Sequence, residues 1–372
     1  MNKTKSSNPV RLIAFFLTAF LLLCTFGFTA DGWQTGNLSG STSGEETPPY
    51  ESEDNTAVDE ENQEENTKAP EIYIPKYFNR ITGVETTEEI AAMAHLAFVL
   101  NPSSACYGTS SADMICEIPT ENGERLLAFI PYSSKMWKIG PITNTRGYIS
   151  NLAKFFDGIC ISDSPDDEIS YNQCDVKDRY IDLSESDNYH YTEFTENLYT
   201  NSDLISLAIN SVGINLTRSE PITLPYVFAD YNSEPVFYGD NNISKVVIKR
   251  SNNSASEYLY NAETGQYTIT QNGSMISDAI NGKIVTFENC FILFSDSVIY
   301  DNAQCSQMVM DTIGTGSGYY FTRGGVCEIN WSSTEDGKIK FTLSDGNDLI
   351  INRGSIYLSF LRSSTKEKIV FQ

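Results

Sequence analysis

The apolar positions of this chain change their spacing four times. Residues 12–30, "LIAFFLTAFLLLCTFGFTA", form an unbroken uncharged block, and the preceding "MNKTKSSNPVR" carries Lys3, Lys5 and Arg11 without an acid. A basic start before an apolar run predicts a signal peptide or membrane anchor over 1–30, with the remainder outside the cell. At ~1.5 Å per residue the run can cross most of a bilayer, so an uncleaved anchor stays open. Cys24 opens a third outcome, cleavage and lipidation, although Leu21, Leu22 and Leu23 make a poor lipidation motif. Residues 31–70 are rich in Ser, Gly, Thr, Asn and acid and nearly free of large apolar side chains. Such a segment cannot offset its ordering entropy by burial and is expected to be a disordered acidic linker.

From residue 71 periodic patterns begin. Thr86 and Glu89 fit a capping box for a helix reaching about His95, and "LAFVL" (96–100) reads as a buried strand. "DMICEIPTENGERLLAFIP" reads as two strands around Glu121-Asn122-Gly123. In "KIGPITNTRGYISNLAKFFDGICIS" (138–162), Tyr148, Ile149, Leu152, Phe155 and Phe156 fall on one helical face. Thr145 or Asn144 is the expected N-cap, Gly158 the exit, and "GICIS" a short strand. A second capped helix is expected over 197–213. From about residue 243 alternation and turns such as Glu263-Thr264-Gly265 predict sheet almost throughout. The expected fold is α+β, with a mixed α/β domain over 71–235 and a β-rich C-terminal domain over 236–372.

Composition narrows the function. The 25 basic and 49 acidic residues give a net charge of −24, which argues against nucleic acid as a partner. Of the eight cysteines, Cys106/Cys116 and Cys160/Cys174 are spaced to close local loops, and Cys290 could pair with Cys305 or Cys327. With two histidines, His95 and His190, and no C-x-x-C, neither a zinc site nor a histidine-dependent triad is expected. No metal and no cofactor is predicted.

Several motifs in order carry a resemblance. "GERLLAF", "KIGPITNTRGYISNLAKFFDGICIS", "ENLYTNSDL", "YLYNAETGQYTITQNG" and "GTGSGYYFTRGGVCEINWSS" followed by "GNDLIINRGSIYLSFL" resemble the YerB-like lipoprotein family, domain of unknown function 3048. The likeness spans most of residues 80–361. It implies an exported, membrane-attached protein of the bacterial cell envelope and supplies no activity. Glu117, Glu121, Gly123, Arg125, Gly140, Pro141, Arg146, Asn197 and Tyr199 stand at matching motif positions. The chain departs from the pattern at Thr143, where the family commonly has arginine, and at Glu196, where it has histidine. Ser164-Pro165-Asp166-Asp167 replaces a Gly-Gly.

Two readings of function follow. One is a binding protein on the extracellular face of the membrane, held by the N-terminal anchor or lipid and recognising an envelope polymer or protein. The other is an envelope-polymer hydrolase or transferase using a Glu/Arg cleft. There Glu117 and Glu121 are candidate catalytic acid and base, and Arg125, Arg146, Asn197 and Tyr199 candidate ligand-binding residues. The alternative role for the charges is structural, with Arg125 and Arg146 paired to Glu117 or Glu121.

Overall fold

Alternation along each strand sorts its side chains onto two faces, and in this chain both faces are covered. The computed structural model describes residues 73–165, 179–193, 197–218, 223–239, 242–250, 254–301 and 306–372. The expected export signal, the linker, Cys24, Cys174, Cys305 and Glu196 lie outside them. The described residues belong to one compact unit beginning at Lys68.

A 13-stranded sheet forms the frame. Its centre runs Asn289–Ser295, Ile356–Arg362, Met114–Thr120, Gly123–Pro131 and His95–Leu100. Met114–Thr120 and Gly123–Pro131 make the hairpin expected at Glu121-Asn122-Gly123, with Thr120 opposite Gly123 and Gly123 at φ 125°. Ile356–Arg362 lies parallel to both of its neighbours, Asn289–Ser295 and Met114–Thr120. The sheet is therefore continuous across the boundary expected at 235/236.

One face, with Leu96, Phe98, Ile115, Leu126 and Ala128, packs on Tyr258, Tyr267 and Ile269 of a six-stranded sheet and on Ile205, Ala208 and Ile209 of the helix Ser202–Val212. The opposite face, with Ala97, Val99, Cys116, Leu127 and Phe129, packs on Tyr148, Ile149, Leu152 and Phe155 of the helix Gly147–Phe155. The expected i, i+1, i+4, i+7 face is thus the buried one.

Strand outweighs helix more than periodicity suggested. The first helix spans only Glu88–Ala92 and is capped by Thr87, whose hydroxyl accepts from the Ile90 N–H at 3.4 Å. It stops short of His95 because the Ala94 N–H already bonds Leu216 O and the chain extends into His95–Leu100. Asn197 is not helical: Leu198–Thr200 is a strand, and the helix starts at Ser202 because Asn201 Oδ1 accepts from the Asp203 and Leu204 N–H groups. Cys106, Cys116, Cys290 and Cys327 are free thiols, so the 106/116 and 290/327 pairings do not form. Cys106 and Cys116 belong to opposite faces of the sheet, out of reach of each other.

Candidate functional site

Glu117 lies mid-strand on the face turned toward the six-stranded sheet and is fully buried. A lone carboxylate there would be prohibitively costly, so it must be paired. Arg250 Nη2 supplies the ion pair, and Gln271 Nε2 donates to Oε1. Ser359 Oγ donates to Oε2 at 2.8 Å and itself accepts from Tyr258 Oη at 2.7 Å. Arg250 Nη1 reaches Ser256 Oγ at 2.6 Å. Burial works against the charge on Arg250, but Glu117 and Glu124 outweigh it and hold the guanidinium above its ordinary range. The network joins strands from both ends of the described chain and leaves Glu117 no route to a substrate.

Glu121 sits in the hairpin loop and turns to the opposite face. It is bound by Arg146 Nη2 and by the Met308 N–H at 3.1 Å. Burial raises its pKa, yet the Met308 N–H and Arg146 more than reverse this and hold the carboxyl below the usual range. Arg146, not Thr145 or Asn144, is the N-cap of Gly147–Phe155, and its side chain makes no capping bond. Arg125 donates to Asn144 Oδ1 and to Glu124 O, each at 3.3 Å. Burial first, then the neighbouring Arg146 charge, lowers its pKa. The two candidate carboxylates therefore stand on opposite faces of the sheet, each with its own arginine, and form no acid/base pair.

Tyr199 is buried in the strand Leu198–Thr200, which Asn197 precedes. Its ring meets Tyr107 edge-on at 5.7 Å and Tyr191 at 6.0 Å. Lys138 Nζ lies 3.9 Å from the centre of Tyr107 and 4.0 Å from that of Tyr199, and pairs with Glu193 at 2.7 Å. Lys138 thus occupies the cation position between these rings itself.

Open, polar space lies elsewhere. A cavity of ≈ 490 Å³ is lined by Asn79, Asp113, Ser133, Ser134, Lys283 and Glu288, from both sides of the expected domain boundary. Asp113 Oδ2 accepts from Asn79 Nδ2 at 2.7 Å and lies 2.7 Å from His95 Nε2. Glu288 is held by Gln266 Nε2 at 2.6 Å and by the Ser355 N–H at 2.7 Å. A second cavity of ≈ 480 Å³ exposes Arg250, Glu124 and Gln271 at its wall. Hydroxyls with fixed carboxylates suit a polyhydroxylated or ammonium-bearing ligand.

Sequence reasoning missed Arg250, Gln271 and Ser359 around Glu117, and His95 with Asp113. An acid at an inward position of "MICEIP" does signal a buried partner. It does not say which of the arginines answers it, here one 133 positions away.

Comparison with known proteins agrees with this architecture. Residues 81–215 match the model described as the N-terminal domain of the protein of unknown function DUF3048, and residues 246–358 the corresponding C-terminal domain. A Bacillus subtilis (strain 168) protein described as "Putative lipoprotein YerB" is 25% identical over 300 residues, covering 76% of this chain and 85% of that protein. The crystal structure of YerB from Bacillus subtilis superposes with a TM-score of 0.66 at 22% identity, covering 80% of this chain and all of that one.

Proposed function

This chain belongs to the DUF3048 family, and on that premise we propose that it is a non-catalytic binding protein of the cell envelope. It is held on the extracellular face of the membrane through residues 1–30, with 31–70 as spacer. The description of its relative as a lipoprotein and the basic-then-apolar N-terminus support this placement.

One observation carries the choice of binding over catalysis. Glu117 and Glu121 are each spent on an internal arginine, on different faces of the sheet. A hydrolase or transferase needs an acid and a base reaching one bond, within about 3 Å of the atoms they serve. Recognition is assigned instead to the cavity at Asp113 and Glu288, whose ligand is a hydroxyl- or amine-bearing part of an envelope polymer or protein.

Co-sedimentation of residues 71–372 with purified envelope polymer tests the reading. The protein is expected to be retained without release of soluble fragments, and Asp113→Asn to weaken retention about tenfold, the loss of one charge-assisted hydrogen bond. Fragment release that Glu117→Gln abolishes would overturn it.

A further inference from the structure

Asp157 lies just past the helix Gly147–Phe155, at φ 55°, where its N–H closes on Lys154 O at 3.0 Å. A carboxylate at the negative end of a helix is unfavourable unless cations surround it. Three do. Arg80 Nη1 bonds Oδ2 at 3.0 Å, Arg218 Nε spans both oxygens at 3.0 and 3.1 Å, and Arg179 Nη1 bonds Oδ1.

Asp157 carries one negative charge against the guanidiniums of Arg179 and Arg218, so these three side chains together keep one positive charge in a chain of net charge −24. The charges are not left to bulk water: the side chains of Arg80, Arg218 and Arg179 are 11%, 15% and 29% exposed. Like charges crowded in a partly dry site repel one another. Arg80 registers this, its pKa lowered by burial first and opposed by Asp157, with the Arg218 charge lowering it further.

The arginines also differ in what they have spent. Arg80 Nε ties down Ala91 O at 2.7 Å, and Arg218 Nη1 ties down Asn215 O at 2.6 Å. Arg179 uses Nη1 alone, and neither its Nε and Nη2 nor Arg218 Nη2 has a protein acceptor among the described residues. Two guanidinium edges with unspent donors, fixed on one carboxylate, make a fork for a tetrahedral oxyanion.

We propose that Arg179 and Arg218, fixed by Asp157 beside Arg80, bind a phosphate group, as a free anion or as a mono- or diester. The site is separate from the Asp113 cavity and does not depend on the role given to that cavity. Asp157 acts here as the positioning residue: it aims the guanidiniums and limits affinity by competing for them.

The test is thermal unfolding and calorimetric titration of residues 71–372 at constant ionic strength, with inorganic phosphate against chloride. Phosphate is expected to raise Tm and chloride not to. Arg179→Gln, at the most exposed of the three, is expected to keep Tm without phosphate and to weaken phosphate binding at least tenfold. Asp157→Asn is expected to bind phosphate several-fold more tightly, with any loss of Tm regained on adding phosphate. A knot with only a structural role predicts the opposite pattern: equal Tm in phosphate and chloride for wild type and Asp157→Asn alike. That result, or Arg179→Gln titrating as wild type, overturns the proposal. Glycerol-phosphate oligomers and phosphatidylglycerol vesicles, each against a phosphate-free control, then identify the carrier. Binding of either that Arg179→Gln abolishes supports the site, and binding that Arg179→Gln leaves intact counts against it.

Discussion

At the scale of single residues, Gly140 and Glu121 explain what the opening turn of "KIGPITNTRGYISNLAKFFDGICIS" does. Gly140 sits at φ 142°, and a Cβ there would come within 2.6 Å of the Tyr199 ring and 2.8 Å of Leu198 O. Tyr199 therefore serves as a packing surface for this turn, with Lys138 over its ring and that of Tyr107. Gly140→Ala is expected to lower stability by about 1–3 kcal/mol, the usual range for overpacking, measured as a shift in urea midpoint at unchanged slope. Glu121 makes a pH prediction. Its folded pKa lies below that of an ordinary, solvated glutamate. The Glu121–Arg146 pair then contributes stability that is fully present above that unfolded value and is lost as pH falls through the folded one. The stability gap between wild type and Glu121→Gln should be widest near neutral pH and close under acid. A gap independent of pH would contradict the assignment.

At the scale of elements, local chemistry was legible wherever the deciding contact was local. The Asn122-Gly123 hairpin, the buried face of Gly147–Phe155 and the strand Ile159–Ser162 follow from spacing a reader can count. The helix Ser202–Val212 was legible too, but not its start, because strand pairing of Leu198–Thr200 with Ile139–Ile142 competes for the preceding residues. Asn201 wins that boundary through two N–H groups, each at 3.0 Å. Asn201→Ala should cost about 1 kcal/mol by chemical denaturation, as loss of an N-cap does. Arg146 was legible as a structural partner for Glu117 or Glu121, and the pair with Glu121 forms, but its place as the N-cap was not legible. It occupies an N-cap position without capping, and its reason is Glu121, across the sheet hairpin. Partners set by long-range strand order, such as Arg250 for Glu117, have no counterpart in local periodicity.

At the scale of the whole molecule, the chain's two family-matched parts share one sheet. Ile356–Arg362 from the C-terminal part is a central strand between Asn289–Ser295 and Met114–Thr120. Residues 71–235 expressed alone would expose the edge of Met114–Thr120, and 236–372 alone the matching edge, both hazardous for solubility. Neither is expected to show a cooperative thermal transition, and a sharp transition in either piece would contradict this. Glu117 is where that union is held, through Arg250, Gln271 and Ser359. The most direct measurement is equilibrium unfolding of Glu117→Gln in residues 71–372. Breaking a buried pair on one side is expected to cost about 3–5 kcal/mol in a single transition. A variant within about 0.5 kcal/mol of wild type, the range of an ordinary surface substitution, would contradict the structural role assigned to Glu117.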